Sequence, residues 1–132
     1  PGLVGVNPHY VEGGGPGVNT NCVSCANATH DRLSGRDAAA SAAPSKGYAT
    51  ENSLLPSSPY GFKAPSLPAA VIDEMSKAAD GATRPVIILQ PGGVQHVINV
   101  VNKGGKVYFV DSQMGKVVVL RPHVPVRLGE EP

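Results

Sequence analysis

The sequence predicts an α+β fold in which helices come first and an antiparallel sheet follows. Helical spacing of apolar residues is confined to residues 22–34 and 67–81, whereas short apolar runs typical of strands occupy residues 85–120. The letters NKGG stand between two of these runs and form a strong hairpin signal, which makes the sheet antiparallel. The 132 residues suit one domain, so we predict a single domain over residues 1–132.

The first predicted helix carries both cysteines of the chain. Residues 1–20 are rich in glycine and are predicted to be irregular. Thr20 or Asn21 is a good N-cap, and residues 22–34 then continue without Gly or Pro. Gly35 is a natural stop signal.

The second helix and the strands follow a long irregular region. Residues 36–47 are of low complexity and residues 48–66 are predicted to be a loop. The second helix, residues 67–81, has apolar residues at 67, 71, 72 and 75 and a closing glycine. Strands are predicted over residues 85–90, 95–102, 106–111 and 116–120, with the proline-broken RPHVPV as an edge strand at most.

Charge and composition exclude some classes of function. The net charge is +1 and no basic block occurs, so nucleic-acid binding through a cationic face is not expected. No apolar run is long enough to span a membrane, and the start of the chain lacks the features of a signal peptide. Because the chain does not begin with Met, we interpret it as the C-terminal part of a longer protein that carries the targeting information.

The hairpin brings a histidine close to a carboxylate. If Lys103 and Gly104 form a two-residue turn, His96 lies directly opposite Asp111 on the neighbouring strand. Opposed residues point to the same face of a sheet, with Cβ atoms about 4.5–5.5 Å apart. This register therefore predicts a carboxylate beside an imidazole.

A turn at residues 104–105 is the alternative, and it places Gln113 opposite His96. In either register a polar side chain reaches the ring. On the hairpin alone, a structural His–Asp pair at the rim of the sheet explains the pattern as well as a catalytic one.

Cys22 is the candidate nucleophile. At a helix N-terminus, unpaired N–H groups and the helix dipole stabilise a thiolate. Cys25 follows one turn later and is expected to be a small buried residue. Together with a later strand histidine and strand carboxylate, Cys22 suggests a Cys–His–Asp arrangement.

Two other interpretations of the cysteine pair are less well supported. A zinc site is not expected, because no second C-x-x-C and no histidine pair at zinc-finger spacing follow, and we expect no cofactor. A thioredoxin-like redox site requires a βαβ context that this order of elements lacks. His9, His30 and His123 are expected on the surface or in loops.

Three segments resemble the papain-fold toxin domains of bacterial polymorphic toxins, of the glutamine-deamidase type. They are TNCVSCANATHDRLSGR, AAVIDEMSKAADGATRPVIIL and HVINVVNKGGKVYFVDSQMG, in the order of the family. The resemblance implies a papain-like cysteine fold, with the N-terminal helix that bears Cys22 packed on the sheet. It implies that Cys22 is the nucleophile, His96 the general base and acid, and Asp111 the residue that orients the ring, with Gln113 in a supporting position.

The local sequence departs from the family at one point. It also allows more than one group to stabilise the oxyanion. Gly is expected before the histidine, but this chain has Gln95. The backbone N–H of Cys22, or the side chains of Asn19 and Asn21, are candidates to stabilise an oxyanion.

The expected activity is hydrolysis of a glutamine side-chain amide in a protein of the target cell, through a thioester. The same triad supports a cysteine protease or a transglutaminase, and a non-catalytic binding module is the alternative of another class. The resemblance implies secretion or contact-dependent delivery from a bacterium, action in the target-cell cytoplasm, and a cognate immunity protein. We expect a monomer that does not insert into membranes.

Overall fold

A five-stranded antiparallel sheet with one helix packed on it forms the described part of the chain. The computed structural model describes residues 28–29, 61–89, 96–111 and 115–130. The sheet has the strand order β4-β3-β2-β1-β5 and all its pairings are antiparallel. The elements are α1 (Pro68–Ser76), β1 (Thr83–Ile88), β2 (His96–Lys103), β3 (Lys106–Asp111), β4 (Lys116–Val118) and β5 (Val126–Leu128).

The antiparallel sheet and the helix before it agree with the predicted α+β class. The predicted helix that bears Cys22 lies outside the described residues except at Ala28 and Thr29, which are helical and buried. β5 begins directly after Pro125 and pairs with β1 on one side. On its other side, the N–H groups of Lys63 and Ser66 donate to the carbonyl oxygens of Leu128 and Val126, so the expectation that this part of the chain is an edge strand at most is wrong.

Helix α1 is shorter than the sequence predicts. It begins with Pro68 in its first turn, where the fixed φ of proline favours a helix, and it ends at Ser76 rather than near Gly81. Residues 77–81 form turns instead, because the N–H of Gly81 donates to the carbonyl oxygen of Asn102 at 2.8 Å and Gly81 has a φ of +84°. The expectation that the helix continues to residue 81 is therefore wrong.

The main core lies between α1 and one face of the sheet. Val71 and Met75, one turn apart on α1, are fully buried, whereas Leu67 and Ile72, which the sequence pattern groups with them, are exposed. The sheet contributes alternate residues of its strands: Val86, Ile88, Ile98, Val100, Phe109, Val126 and Leu128. Residues 97–102 of β2 are all buried, so this central strand is covered on both faces.

Two glycines form the turn between β2 and β3. Lys103 pairs with Lys106, which leaves Gly104 and Gly105 as the two-residue loop with φ of +63° and +86°. Turns of this kind require positive φ at both central positions, and only glycine adopts it without strain. Of the two turns that the sequence allows, the one at residues 104–105 is confirmed, and the one at Lys103–Gly104 is wrong because it would force a lysine into that conformation.

Asn102 anchors this turn to the end of α1. Its side-chain amide donates to the carbonyl oxygens of Met75 at 2.8 Å and of Ala78 at 3.2 Å. Its side-chain oxygen accepts from the N–H of Gly105 at 3.0 Å. Asn102 is thus a buried polar residue with every contact directed at the backbone of the helix end and of the hairpin.

A cluster of charges fixes the other side of α1. The guanidinium of the buried Arg84 donates to Glu74 at 2.6 Å and to the carbonyl oxygen of Gly129 at 2.6 Å. The ammonium of Lys63 donates to the second oxygen of Glu74 at 2.6 Å. The hydrogen bond from Lys63, and next that from Arg84, lower the pKa of Glu74.

Replacing Asn102 with Ala is expected to lower the free energy of unfolding by about 2 kcal/mol, because two helix-end carbonyls and one turn N–H lose a buried partner. Urea unfolding with an unchanged m-value measures the loss. The neighbouring exposed Lys103→Ala is the matched control, with an expected change below about 0.5 kcal/mol. Equal stability of the two variants would show that Asn102 does not hold the turn.

The pH dependence of stability is expected to identify Glu74. Because its folded-state pKa is lowered from 4.5, the ionised carboxylate stabilises the fold above that pH, and this stabilisation is lost as the pH falls through the lowered pKa. Glu74→Gln should be less stable than the wild type at pH 7, with a difference that shrinks in acid. Urea unfolding from neutral to acidic pH measures it.

Asp73→Asn is the control for the Glu74 measurement, since its ion pair with Lys77 is highly exposed and contributes little to stability. A difference between wild type and Glu74→Gln that stays constant with pH would contradict the assignment.

Candidate active site

A histidine and a carboxylate meet at the end of the hairpin opposite to its turn. His96 is the first residue of β2 and Asp111 is the last residue of β3. The Nε2 atom of His96 lies 2.9 Å from Oδ2 of Asp111. The side chains are 20% and 12% exposed, so the pair lies at the rim of the core and not deep inside it.

The two residues are diagonal neighbours rather than directly opposed ones. The strands pair Asn99 with Val110 and Val100 with Phe109. Continuing that register places Asp111 opposite residue 98, two positions from His96. Diagonal neighbours on one face are about 7–8 Å apart, within reach of long side chains. The prediction that the imidazole and the carboxylate lie together is confirmed, whereas the predicted direct opposition is wrong.

The hydrogen bond assigns different tasks to the two ring nitrogens. A carboxylate only accepts, so the neutral imidazole donates its Nε2 hydrogen to Asp111. Nδ1 then carries the lone pair and is the nitrogen that can take a proton from an acid. The carboxylate also stabilises the imidazolium that forms when this happens. Such a pair is suited to general base and general acid catalysis.

Lys116 adds a positive charge next to this pair. It is the first residue of β4 and lies directly opposite Asp111 in the β3–β4 ladder, and its side chain is exposed. Lys116 was not among the residues that the sequence predicts at the site. The residues that directly flank SQMG in the sequence are Asp111 and Lys116, so a turn at SQMG predicts that these two residues lie opposite each other.

The remaining candidate residues divide into those outside the described part and those on the surface. Cys22, Cys25, Asn19, Asn21, Gln95 and Gln113 lie outside the described residues. His123 is exposed in the loop before β5, as expected. Among the residues that the structure describes, no three His, Cys, Asp or Glu side chains converge as a metal site. In the same part of the chain, no helix is long and apolar enough to cross a membrane.

Comparison with known proteins assigns the chain to a family. A search of curated proteins found no match to the chain. A protein-family model described as papain fold toxin 1, glutamine deamidase, matches residues 20–116. The matched region covers well over half of the chain and includes Cys22, His96 and Asp111. The resemblance in the sequence is thereby confirmed, and the chain belongs to the papain-fold toxin family of glutamine deamidases.

Proposed function

We propose that this chain deamidates glutamine side chains of a protein in the target cell, with Cys22, His96 and Asp111 as its catalytic triad. The observation that carries the proposal is the hydrogen bond of 2.9 Å between His96 and Asp111. It occurs within the region matched by a glutamine-deamidase family. A cysteine nucleophile requires a base that is itself oriented by a third group, and these two residues supply the base and its orienting partner.

The first half of the reaction forms a thioester. Nδ1 of His96 takes the proton of the Cys22 thiol, and the sulfur attacks Cδ of the substrate glutamine. The amide oxygen becomes an oxyanion, for which the backbone N–H of Cys22 and the side chains of Asn19 or Asn21 are the proposed donors. The imidazolium then protonates the departing nitrogen, and the C–N bond breaks to release ammonia.

The second half restores the enzyme. Water loses a proton to Nδ1 of His96 and attacks the thioester carbon. The C–S bond breaks and the product is glutamate, while the thiol regains its proton from the imidazolium. Throughout both halves, Asp111 keeps the ring in one orientation and offsets its positive charge. Gln113, two residues after Asp111 in the sequence, is proposed to support this geometry.

The family context suggests where the reaction takes place. As a toxin domain, the chain is proposed to be part of a larger bacterial protein that is secreted or delivered by contact. The thiolate must stay reduced, so the proposed site of action is the target-cell cytosol. Conversion of glutamine to glutamate adds a negative charge and removes two hydrogen-bond donors, which is enough to disable a catalytic glutamine. The producer is proposed to be protected by an immunity protein that covers the cleft between Cys22 and His96.

Replacing Cys22 with Ala is expected to abolish deamidation, with a loss on the order of a thousandfold or more because no covalent intermediate forms. Wild type and variant are expressed in a bacterial cytosol, and peptides of the host proteins are examined by mass spectrometry. The wild type should produce glutamine sites that gain about one dalton.

Cys25→Ala is the matched control for this experiment and should retain the activity. Chain cleavage in place of the mass gain would identify a protease, and addition of an amine would identify a transglutaminase. Unchanged deamidation in Cys22→Ala would refute the proposed nucleophile.

Alkylation by iodoacetamide tests the triad without a substrate. In a Cys25→Ala background, Cys22 should react at a lower pH than an ordinary thiol, because an imidazolium next to it stabilises the thiolate. His96→Ala should move the pH of half-maximal reaction upward, and Asp111→Asn should move it in the same direction by less. The exposed His123→Ala is the control and should leave the profile unchanged. A profile that His96→Ala does not alter would mean that the ring and the sulfur do not interact.

A further inference from the structure

The outer edge of the sheet presents two exposed valines. Val117 is 61% exposed and Val119 is 95% exposed. The residues that alternate with them, Val118 and Leu120, are partly buried and pack against the core. β4 and the two residues that follow it therefore have one side on the core and an apolar side in solvent.

This segment lies at an edge of the sheet. Among the described strands, β4 pairs with β3 only, so half of its backbone N–H and C=O groups face away from the sheet. Outward positions on such edges normally carry charged residues or proline, which discourage pairing with another chain. Here two β-branched apolar residues occupy them, and such residues favour the addition of another strand.

The surroundings of this edge are cationic. Lys106, Lys116 and Arg121 are exposed. None of them forms an ion pair with an acidic residue of the described part of the chain. Lys106 lies directly opposite another exposed lysine, Lys103, across the hairpin. The acidic residue in residues 103–127 is Asp111, which is already bonded to His96.

We propose that residues 116–120 form a docking strand for an extended, acidic segment of the substrate protein, which adds to the sheet next to β4. Backbone hydrogen bonds and the two valines would bind any extended apolar segment, and the cations select an acidic one. A second copy of this chain is disfavoured, because its own edge would bring the same positive charges together. That the docked protein is the substrate rests on the proposed function, whereas the preference for an acidic strand does not.

The position of the edge fits a substrate that is held beside the catalytic pair. Lys116 lies directly opposite Asp111, so one end of β4 adjoins the site. A strand added outside β4 would lie three strand spacings, or about 14 Å, from β2. About four extended residues span that distance. The target glutamine would therefore lie on the chain that continues from the docked strand, and not within it.

The family match ends at residue 116, so the two valines lie beyond the matched region.

Binding of a synthetic peptide tests the proposal independently of catalysis. The peptide has about ten residues that alternate Val and Glu, a length that covers a typical strand, and it contains no glutamine. Its binding to the ¹⁵N-labelled protein is followed by NMR. The expected result is a shift of the backbone amides of residues 116–120, slower hydrogen exchange there, and weaker binding as salt is added. A peptide that alternates Val and Lys should bind at least about tenfold more weakly.

Three further comparisons separate strand addition from general attraction between charges. An acidic peptide of equal charge with Pro in place of Val cannot pair with an edge and should not bind. Arg121→Glu and Val119→Asp should each weaken binding of the Val–Glu peptide by about tenfold or more. Lys77→Glu makes the same change in net charge as Arg121→Glu but at the C-cap of α1, away from β4, and should have no such effect.

Equal binding of the acidic and basic peptides, amide shifts elsewhere in the protein, or no binding at millimolar peptide would overturn the proposal. Dimers that form through residues 116–120 would also overturn it. Failure of the proposed function shows up separately, as deamidation that does not depend on Cys22.

Discussion

The turn at Gly104–Gly105 is the constraint on which the candidate site depends. Positive φ at both positions sets the register of β2 against β3, and this register places Asp111 diagonally from His96. Side chains alternate between the faces of a sheet, so a slip of one residue would move the carboxylate to the other face. The hydrogen bond between His96 and Asp111 at the open end of the hairpin thus depends on the conformation of the turn at the other end, about seven residues away.

The two ends of the β2–β3 hairpin differ: the turn is anchored to neighbouring residues, and the open end carries His96 and Asp111. At the turn, Asn102 binds the end of α1 and Asp80 accepts the N–H of Gly104 at 2.6 Å, so the turn is tied to the helix. Between the ends, β2 is buried on both faces and does not shift without breaking the core. The polar pair at the open end therefore rests on a rigid support, which the proposed role of His96 as a general base requires.

The sequence predicted the strands better than their register. Lys106–Asp111 has the predicted bounds, because turn signals flank it on both sides, the glycine pair before it and SQMG after it. NKGG allows two turn positions that differ by one residue, and the choice depends on the conformational cost of placing Lys103 at positive φ. The end of α1 was missed for another reason: Ala78 and Ala79 favour a helix, but the contacts of Asn102 and Gly81 are tertiary and leave no trace in local periodicity. The proximity of His96 and Asp111 was predicted from a direct opposition that the observed register does not contain, and the carboxylate reaches the ring from the diagonal position instead.

The central claim is that a cysteine near the start of the chain reaches a histidine on the sheet. The most direct measurement is the distance from Sγ of Cys22 to Nδ1 of His96 in a crystal structure of the reduced protein. The account predicts a separation within about 4 Å, with Nε2 of the same ring bonded to Asp111, since unliganded enzymes often hold this pair slightly beyond hydrogen-bond length. A sulfur that points into the interior, away from the imidazole and out of reach of any substrate, would contradict it.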